Sequence, residues 1–261
     1  MKNIKNIIRS SMKTENKKAM RGVIVAGGAG TRLRPLTYAI NKQFMPVYDR
    51  PLIYYPLDTL LSLGIKDILI ISGVEHADQF MTLLGSGKNF GVRFTYRVQD
   101  EPKGIAQALS LAEDFAQGDR TAVILGDNIY EDLAGIKLAG EKFSEQESGS
   151  MVFLKKVTDP ERFGVAEIKD KKIIKIVEKP KKPKSDLAVT GLYFYDERVF
   201  DIIRELKPSD RGEYEITDVN AKYVAEKAMS YQIIKGEWID AGTFNSLLRA
   251  GNLMAKIRKN K

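Results

Sequence analysis

Between Val23 and Thr37 the chain reads VIVAGGAGTRLRPLT: an apolar run, then Gly27, Gly28 and Gly30, then Arg32 and Arg34 with no acidic residue between them. Glycines placed directly after a strand let the backbone turn sharply and aim amide hydrogens at an anion. Arg32, Arg34 and, after a polar turn, Lys42 add guanidinium and ammonium groups to that loop. Amides and cations in this combination suit a polyphosphate, the ordinary alternative being that Arg32 and Arg34 are solvated turn residues. Two familiar phosphate-binding patterns fail. No lysine follows the glycines as a P-loop requires, and the dinucleotide pattern G-x-G-x-x-G breaks at Leu33. Pro35 and Pro46 lead us to expect an extended segment whose side chains line a groove.

The residue types that are missing narrow the chemistry further. There is no cysteine, and the one histidine, His76, lies in GVEHADQF, the expected polar start of a helix, where a solvated imidazole is the plain expectation. Disulfides, thiolate nucleophiles and Cys/His zinc sites are excluded, and a Ser-His-Asp triad has only His76 to build on. Catalysis must rest on carboxylates, cations, backbone amides or a metal.

The elements that position these groups follow from periodicity. RGVIVAGG, KDILIISG, VRFTYRVQ and TAVILGDN read as strands, and PLIYYPLDTLLSLG, HADQFMTLLGSG and GIAQALSLAEDFA between them read as helices. That alternation predicts an α/β fold with a doubly wound, mostly parallel sheet, in which ligands bind beyond the carboxyl ends of the strands. GSMVFLKKV, FGVAEIKDKKIIKIVEKP and AVTGLYFYD are β-rich, with a hairpin expected at DKK, and RVFDIIRELK, ITDVNAKYVAEK and TFNSLLRAGNLMAKIRK read as helices. Antiparallel strands added after a parallel half predict a β-rich substrate lobe over the same cleft. A chain of 261 residues that is 43% hydrophobic can bury one large core. We expect one domain over 20–261, preceded by a mobile extension over 1–19.

The formal charge of +8 points away from nucleic acid once it is located. Residues 1–19 carry a net +5 and residues 256–261 a net +4, which leaves the body between them at −1. A nucleic-acid binder carries its basic stripe on the folded surface, so no nucleic-acid partner is expected. The longest apolar runs are too short to cross a bilayer and the first residues lack a secretory h-region; neither a membrane nor a secreted location is expected, and the chain is placed in the cytoplasm.

The phrase AGGAGTRL-x-P, with NKQFMPVYDRPLIYYPL, VQDEPKGIAQA, LGDN, DPERFGV, EKPKKPKS, AVTGLYFYD, GEYEITDVN and WIDAGT in that order, resembles the sugar-nucleotide pyrophosphorylases from Met20 to about Leu253. Within that family it looks most like the members that use dTTP and glucose 1-phosphate. The resemblance implies in-line attack of the sugar phosphate on the α-phosphorus, with loss of pyrophosphate and no covalent enzyme intermediate. It implies Mg²⁺ held by Asp127 and Asp240, each just after an apolar strand-like run; on local sequence alone Asp127 in G-D-N equally suits a turn or a helix cap. Gly27, Gly28 and Gly30 would supply the amide cradle, Arg32 would stabilise the leaving pyrophosphate, and Lys42 would approach both substrates' phosphates. Gln43, Gln99 and Gly104 would contact the nucleotide, Gln99 reading the base edge. On the sugar side the resemblance implies Gly164, Glu178, Lys179, Gly191 and Tyr193, with Glu178 accepting from hydroxyls and Lys179 pairing with the phosphate. An exposed strand pair at Glu178-Lys179 and core packing for Tyr193 are the structural alternatives.

The chain departs from the family pattern in places. Phe163 stands where many relatives have tyrosine, and Phe44-Met45 replaces a common Leu-Leu, a volume-tolerant exchange. Relatives that use UTP carry a Lys-Glu-Met-Leu-Pro-like segment where this chain has Lys42-Gln43-Phe44-Met45-Pro46, which favours dTTP. A UTP-using enzyme, a non-catalytic sugar-nucleotide sensor and a nicotinamide dehydrogenase are the rivals. The retained Asp127, Asp240, Arg32 and Lys42 count against the sensor, and the missing third glycine against the dehydrogenase. The chain resembles the short family form, for which a homodimer with weak feedback by dTDP-rhamnose is expected.

Overall fold

The computed structural model describes residues 19–259, so all of the expected N-terminal extension except Ala19 lies outside the described residues. From β1 (Met20–Ala26) the chain passes through β2 (Pro46–Val47), β3 (Arg50–Pro51), α1 (Tyr54–Ser62), β4 (Asp67–Gly73), α2 (Ala77–Leu84), β5 (Arg93–Gln99), α3 (Ile105–Ser110), α4 (Glu113–Ala116) and β6 (Arg120–Leu125). It continues through β7 (Asn128–Tyr130), α5 (Leu133–Ser144), β8 (Ser150–Lys156), β9 (Gly164–Lys169), β10 (Lys172–Glu178), β11 (Leu187–Tyr195), α6 (Val199–Arg204), α7 (Ile216–Ala225), β12 (Met229–Ile233), β13 (Trp238–Asp240) and α8 (Phe244–Lys259).

The central sheet runs β10-β9-β11-β6-β1-β4-β5, with β8 paired to β11 and β12 to β8. β6, β1, β4 and β5 are mutually parallel. The chain winds outward from β1 to β4 and β5, then returns across β1 to β6, so the winding reverses between β1 and β6. In open α/β sheets that reversal opens a crevice at the strands' carboxyl ends. Here it sets the glycine loop after β1 beside the Gly126-Asp127 turn after β6, and the Gly126 amide donates to the Val25 carbonyl at 2.9 Å.

Both faces of the sheet are covered over β1, β4 and β6, which is why these parallel strands are continuous apolar runs, while the edge strand β5 alternates exposed and partly buried residues. Val23, Leu69, Ile71 and Val123 pack under α3, α4, α6 and α7, while Ile24, Ile68, Ile70 and Ile124 pack under α1, α2 and α5. α8 closes a smaller third core with Val47, Ile129 and Ile239.

The expected hairpin turns at Asp170 and Lys171, both left-handed with φ of 49° and 59°, the backbone a two-residue loop needs between twisted strands. Two local readings change. The expected helix over 104–116 is two short helices, because tight i−3 bonds from Leu111 and Ala112 break the regular ladder. The segment expected to be extended after the glycine loop instead coils through three 3-10 turns, Thr31–Leu33, Leu36–Tyr38 and Lys42–Phe44. Pro35 falls between the first two turns and Pro46 opens β2 after the third, positions where a missing amide hydrogen costs little. β12, in a segment to which the periodicity assigns no element, pairs in parallel with β8.

Candidate active site

A cavity of about 820 Å³ opens over the carboxyl ends of β1 and β6 and runs toward the β9 and β10 hairpin. Its wall includes Gly28, Arg32, Lys42, Gln43, Gln99, Gly104, Asp127, Gly164, Glu178, Lys179, Gly191, Tyr193 and Asp240. Gly27 and Gly30 lie behind the wall and shape it. A Cβ on Gly27 would come within 2.4 Å of Gln99 Oε1, so the loop passes this strand end only without a side chain. The Gly30 carbonyl accepts from Leu33 N at 2.9 Å and Thr37 Oγ1 at 3.0 Å, closing the turn that carries Arg32. Arg34 turns away and stacks on the exposed Tyr38, 5.0 Å from its ring centre. His76 is half-buried, not solvated, in the turn before α2, and takes no part in the cavity wall.

The charged centre of the cavity sits where the strands end. The Lys42 ammonium donates to Asp127 Oδ2, and Asn128 Nδ2 donates to Asp127 Oδ1 at 3.0 Å. Burial pushes the Asp127 carboxyl up, but the Lys42 charge and these hydrogen bonds outweigh it and hold the group below the usual carboxylate range. Asp240, carried by β13, behaves oppositely: burial and the neighbouring Asp127 charge raise it, with Arg32 and Lys42 opposing. Arg32 Nη2 lies 3.7 Å from Asp240 Oδ2 and is otherwise half open to solvent. Two buried carboxylates with unequal proton affinities thus share one cation-lined space. They are hard oxygen donors of the kind Mg²⁺ takes, and their mutual repulsion is what a divalent cation between them relieves. Among the described residues no group of three or more Asp, Glu, His or Cys converges as a metal cage, so a cation held here would complete its shell with substrate and water oxygens.

Asn128 ties three elements together. Its Oδ1 accepts from Gly191 N at 3.0 Å and from Trp238 Nε1 at 2.6 Å, joining β7 to β11 and β13 behind Asp127. At the end of β5, Gln99 is 5% exposed and donates through Nε2 to Gln107 Oε1 at 2.6 Å. Gly104 has a φ of 102°, and a Cβ there would strike the Tyr214 carbonyl at 2.5 Å, so only glycine lets α3 start against the 209–215 loop. Gln43 is buried, with Asn41 Oδ1 accepting from its amide at 2.9 Å and its own Oε1 left without a partner.

At the far end Glu178, the last residue of β10, pairs across the hairpin with Gly164. Thr217 Oγ1 donates to Glu178 Oε2 at 2.5 Å, while Lys179 and Arg211 approach Oε1 at 3.3 and 3.4 Å. Tyr193 is buried on the floor, and burial, then the Glu178 and Asp127 charges, push its hydroxyl up.

The sequence reading singled out neither Asn128 nor Arg162, Arg211, Glu213, Glu215, Thr217 and Trp238, all of which line the cavity. Glu213 and Glu215 alternate in GEYEITDVN on the loop that leads into α7, and Thr217 sits in the first turn of that helix; the alternating acids were the available signal. Arg162 lies over Phe163 at 5.2 Å, and Phe163 meets Trp238 edge to face at 5.1 Å. Phe44 packs on Phe80 at 4.7 Å and Met45 is buried, consistent with a packing exchange at that pair.

Comparison with known proteins supplies the family. A family model described as nucleotidyl transferase matches residues 21–257. A glucose-1-phosphate thymidylyltransferase of Mycolicibacterium smegmatis is 48% identical over 241 residues, covering 91% of this chain and 83% of that protein. One from Neisseria meningitidis is 45% identical over 249 residues, covering 92% and 84%. The crystal structure of a Bacillus anthracis protein described as a glucose-1-phosphate thymidylyltransferase, in complex with sucrose, superposes with a TM-score of 0.86 at 54% identity, covering 90% of this chain and 95% of that one. A UDP-glucose pyrophosphorylase with bound UDP-glucose superposes at 0.79 with 26% identity, covering 91% and 99%. With the mostly parallel sheet, the cavity at its switch point and these matches over nearly its whole described length, the chain belongs to the nucleotidyl transferase family.

Proposed function

We propose that the chain joins dTTP to α-D-glucose 1-phosphate, giving dTDP-glucose and pyrophosphate. The observation that carries this reading is one cavity with three chemistries in a row: a glycine loop with Arg32 and Lys42, the paired Asp127 and Asp240, and Glu178 beside Lys179. An oxygen of the sugar phosphate attacks the α-phosphorus in line, and the bond to pyrophosphate breaks as the new one forms. The substrate brings its own nucleophile, so the protein has only to position two polyanions and offset their charge. That suits a chain without cysteine whose one histidine lies outside the cavity.

Arg32 neutralises the departing pyrophosphate, and Lys42 serves the phosphates of both substrates. Asp127 and Asp240 hold Mg²⁺, which when bound supplies charge neutralisation on the triphosphate. Gly28, with Gly27 and Gly30 shaping the turn, presents backbone to the phosphates, and Gln43, Gln99 and Gly104 hold the nucleoside. Glu178 accepts from sugar hydroxyls, Lys179 pairs with the sugar phosphate, and Gly164, Gly191 and Tyr193 form the floor beneath the ring. The enzyme works as a homodimer in the cytoplasm, a state that light scattering checks.

A second reading, UTP in place of dTTP, has one specific support. An amide such as Gln99 reads the shared edge of uracil and thymine but not the 5-methyl group, and one methyl in a pocket is worth only about 1–3 kcal/mol. Pyrophosphate release with glucose 1-phosphate and Mg²⁺, offering dTTP, UTP, CTP, ATP and GTP separately, tests both readings. dTTP fastest is expected, UTP fastest replaces the base assignment, and no release with any nucleotide overturns the reaction.

A further inference from the structure

Gln107 does not line the cavity, yet it accepts from Gln99, the side chain assigned above to the base. Gln99 ends β5, and the chain returns through Gly104 into the first turn of α3, bringing Gln107 back against it. Gln99 Nε2 donates to Gln107 Oε1 at 2.6 Å and reaches the Gly104 carbonyl only at 3.5 Å. The two atoms presented on that side, Gln107 Oε1 and the Gly104 carbonyl oxygen, are acceptors, so the amide's NH₂ end faces them, and its carbonyl end is turned toward Gly27 in the glycine loop. The Gly104 carbonyl is also engaged by Ala108 N at 3.1 Å, which leaves Gln107 as the main acceptor fixing this orientation.

The orientation has a chemical consequence. Thymine and uracil present an N3–H donor flanked by carbonyls, whereas cytosine presents an N3 acceptor beside an N4 amino donor. A glutamine amide that offers its oxygen to N3–H and its NH₂ to a neighbouring carbonyl pairs with the first two, and must be rotated end for end to pair with cytosine. Rotating it sets its oxygen against the fixed Gly104 carbonyl, and against Gln107 Oε1 as well unless Gln107 turns its own amide with it. A site built to hydrogen-bond one edge rejects the other strongly, because its buried polar atoms are left unpaired.

We propose that Gln107 is a positioning residue for base choice: by accepting from Gln99 it fixes the amide so that pyrimidines with an N3–H are taken and cytosine is refused. The inference rests on the reading of Gln99 as the base contact given above.

The test compares kcat/KM for dTTP, UTP and CTP, with glucose 1-phosphate as partner, in the full chain and two variants. Gln107→Met removes the acceptor at nearly constant volume and is expected to narrow the dTTP-to-CTP ratio by at least about tenfold, the range of one lost hydrogen bond to a buried group. Gln107→Glu keeps an acceptor at the same place and is expected to hold the ratio within about threefold of the parent. Equal losses with all three nucleotides in Gln107→Met, leaving the ratio intact, mark a purely structural role and overturn the inference. So does a Gln107→Glu variant that loses discrimination, an outcome that remains readable even where Gln107→Met does not fold. A parent chain that takes CTP as readily as dTTP overturns the base-pocket reading itself and the inference with it. A parent that discriminates beside a Gln107→Met that discriminates equally overturns this inference alone.

Discussion

The two ends of the cavity are built differently. At the phosphate end the charges sit on the ends of strands and are paired with one another inside the protein: Asp127 is 7% exposed, bound by Lys42 and Asn128, and Asp240 faces it from β13. At the sugar end the charges sit at the open end of a hairpin and on a loop and are spread over many looser partners. Arg211, for example, lies 2.8 Å from Glu215, 3.4 Å from Glu178 and 3.7 Å from Glu213. Exposed pairs of the latter kind are worth about 0–1 kcal/mol, whereas charges in a dry, fixed arrangement act strongly on charge that develops during reaction. The phosphate end is therefore where substitution changes the reaction, and the sugar end where it changes affinity.

Asp127→Asn and Asp240→Asn test that contrast most severely. Each is expected to cut turnover about 10³-fold or more, at the upper range for removal of a charge-stabilising group, measured as pyrophosphate release at saturating substrates. Their stabilities should diverge. Asp127→Asn strips a mostly buried ammonium of its counter-charge and lowers Tm, while Asp240→Asn removes a buried like charge and raises it, by about 2–4 °C for each kcal/mol relieved. The pH dependence follows the same signs. Asp127, held below its unfolded value, contributes stability that is present above the unfolded pKa and lost as pH falls through the folded one. Asp240, held above its unfolded value, contributes stability present below the unfolded pKa and lost as pH rises through the folded one. Thermal melts across this acidic range should show Asp240→Asn losing the second dependence. Equal loss of Tm in both variants would break the picture of a repelling pair.

At the sugar end the expected effects are smaller and fall on one substrate. Glu178→Gln keeps the shape of the side chain and its contact with Thr217 but removes the charge that we propose accepts from the sugar. A hydrogen bond to a charged group nets about 1.5–3 kcal/mol, so KM for glucose 1-phosphate should rise roughly ten- to a hundredfold with KM for dTTP within about twofold. A matching rise for both substrates would show the two ends to be one coupled unit.

The same contrast governs what could be read from the sequence. The parallel half was legible because its inner strands are buried on both faces and its helices on one, so Val23 to Ala26 or Ile68 to Ile71 announce themselves as apolar runs. Gly27 to Arg32 were legible because glycines followed by cations have few other uses. The carboxylates drew their meaning from the resemblance, since nothing local separates Asp127 from a turn aspartate. Arg211, Glu213, Glu215 and Thr217 stayed hidden because they act from a loop and the start of α7, whose place over the hairpin is set by long-range packing of β10 against α7. Asn128 was hidden for a related reason: its three partners, Asp127, Gly191 and Trp238, come together only once β7, β11 and β13 meet.

Phe163 sharpens the comparison at its finest scale, because it sits on the seam between the two ends. Its ring packs edge to face on Trp238, whose indole nitrogen is tied to Asn128 and so to the phosphate end, while its own backbone accepts from Lys179 N at 3.0 Å at the sugar end. Phe163→Tyr adds one hydroxyl at this seam and leaves the ring contact in place. A neutral hydrogen bond nets about 0.5–1.5 kcal/mol, so KM for glucose 1-phosphate should shift by no more than about tenfold, with kcat nearly unchanged. Trp238 is the only tryptophan in the chain, so its emission reports the seam directly. If the ends are separate in function, glucose 1-phosphate should move that emission differently in Phe163→Tyr and in the parent, and dTTP alone should move it alike in both. A dTTP response altered as strongly as the sugar response would mean that the seam transmits between the ends.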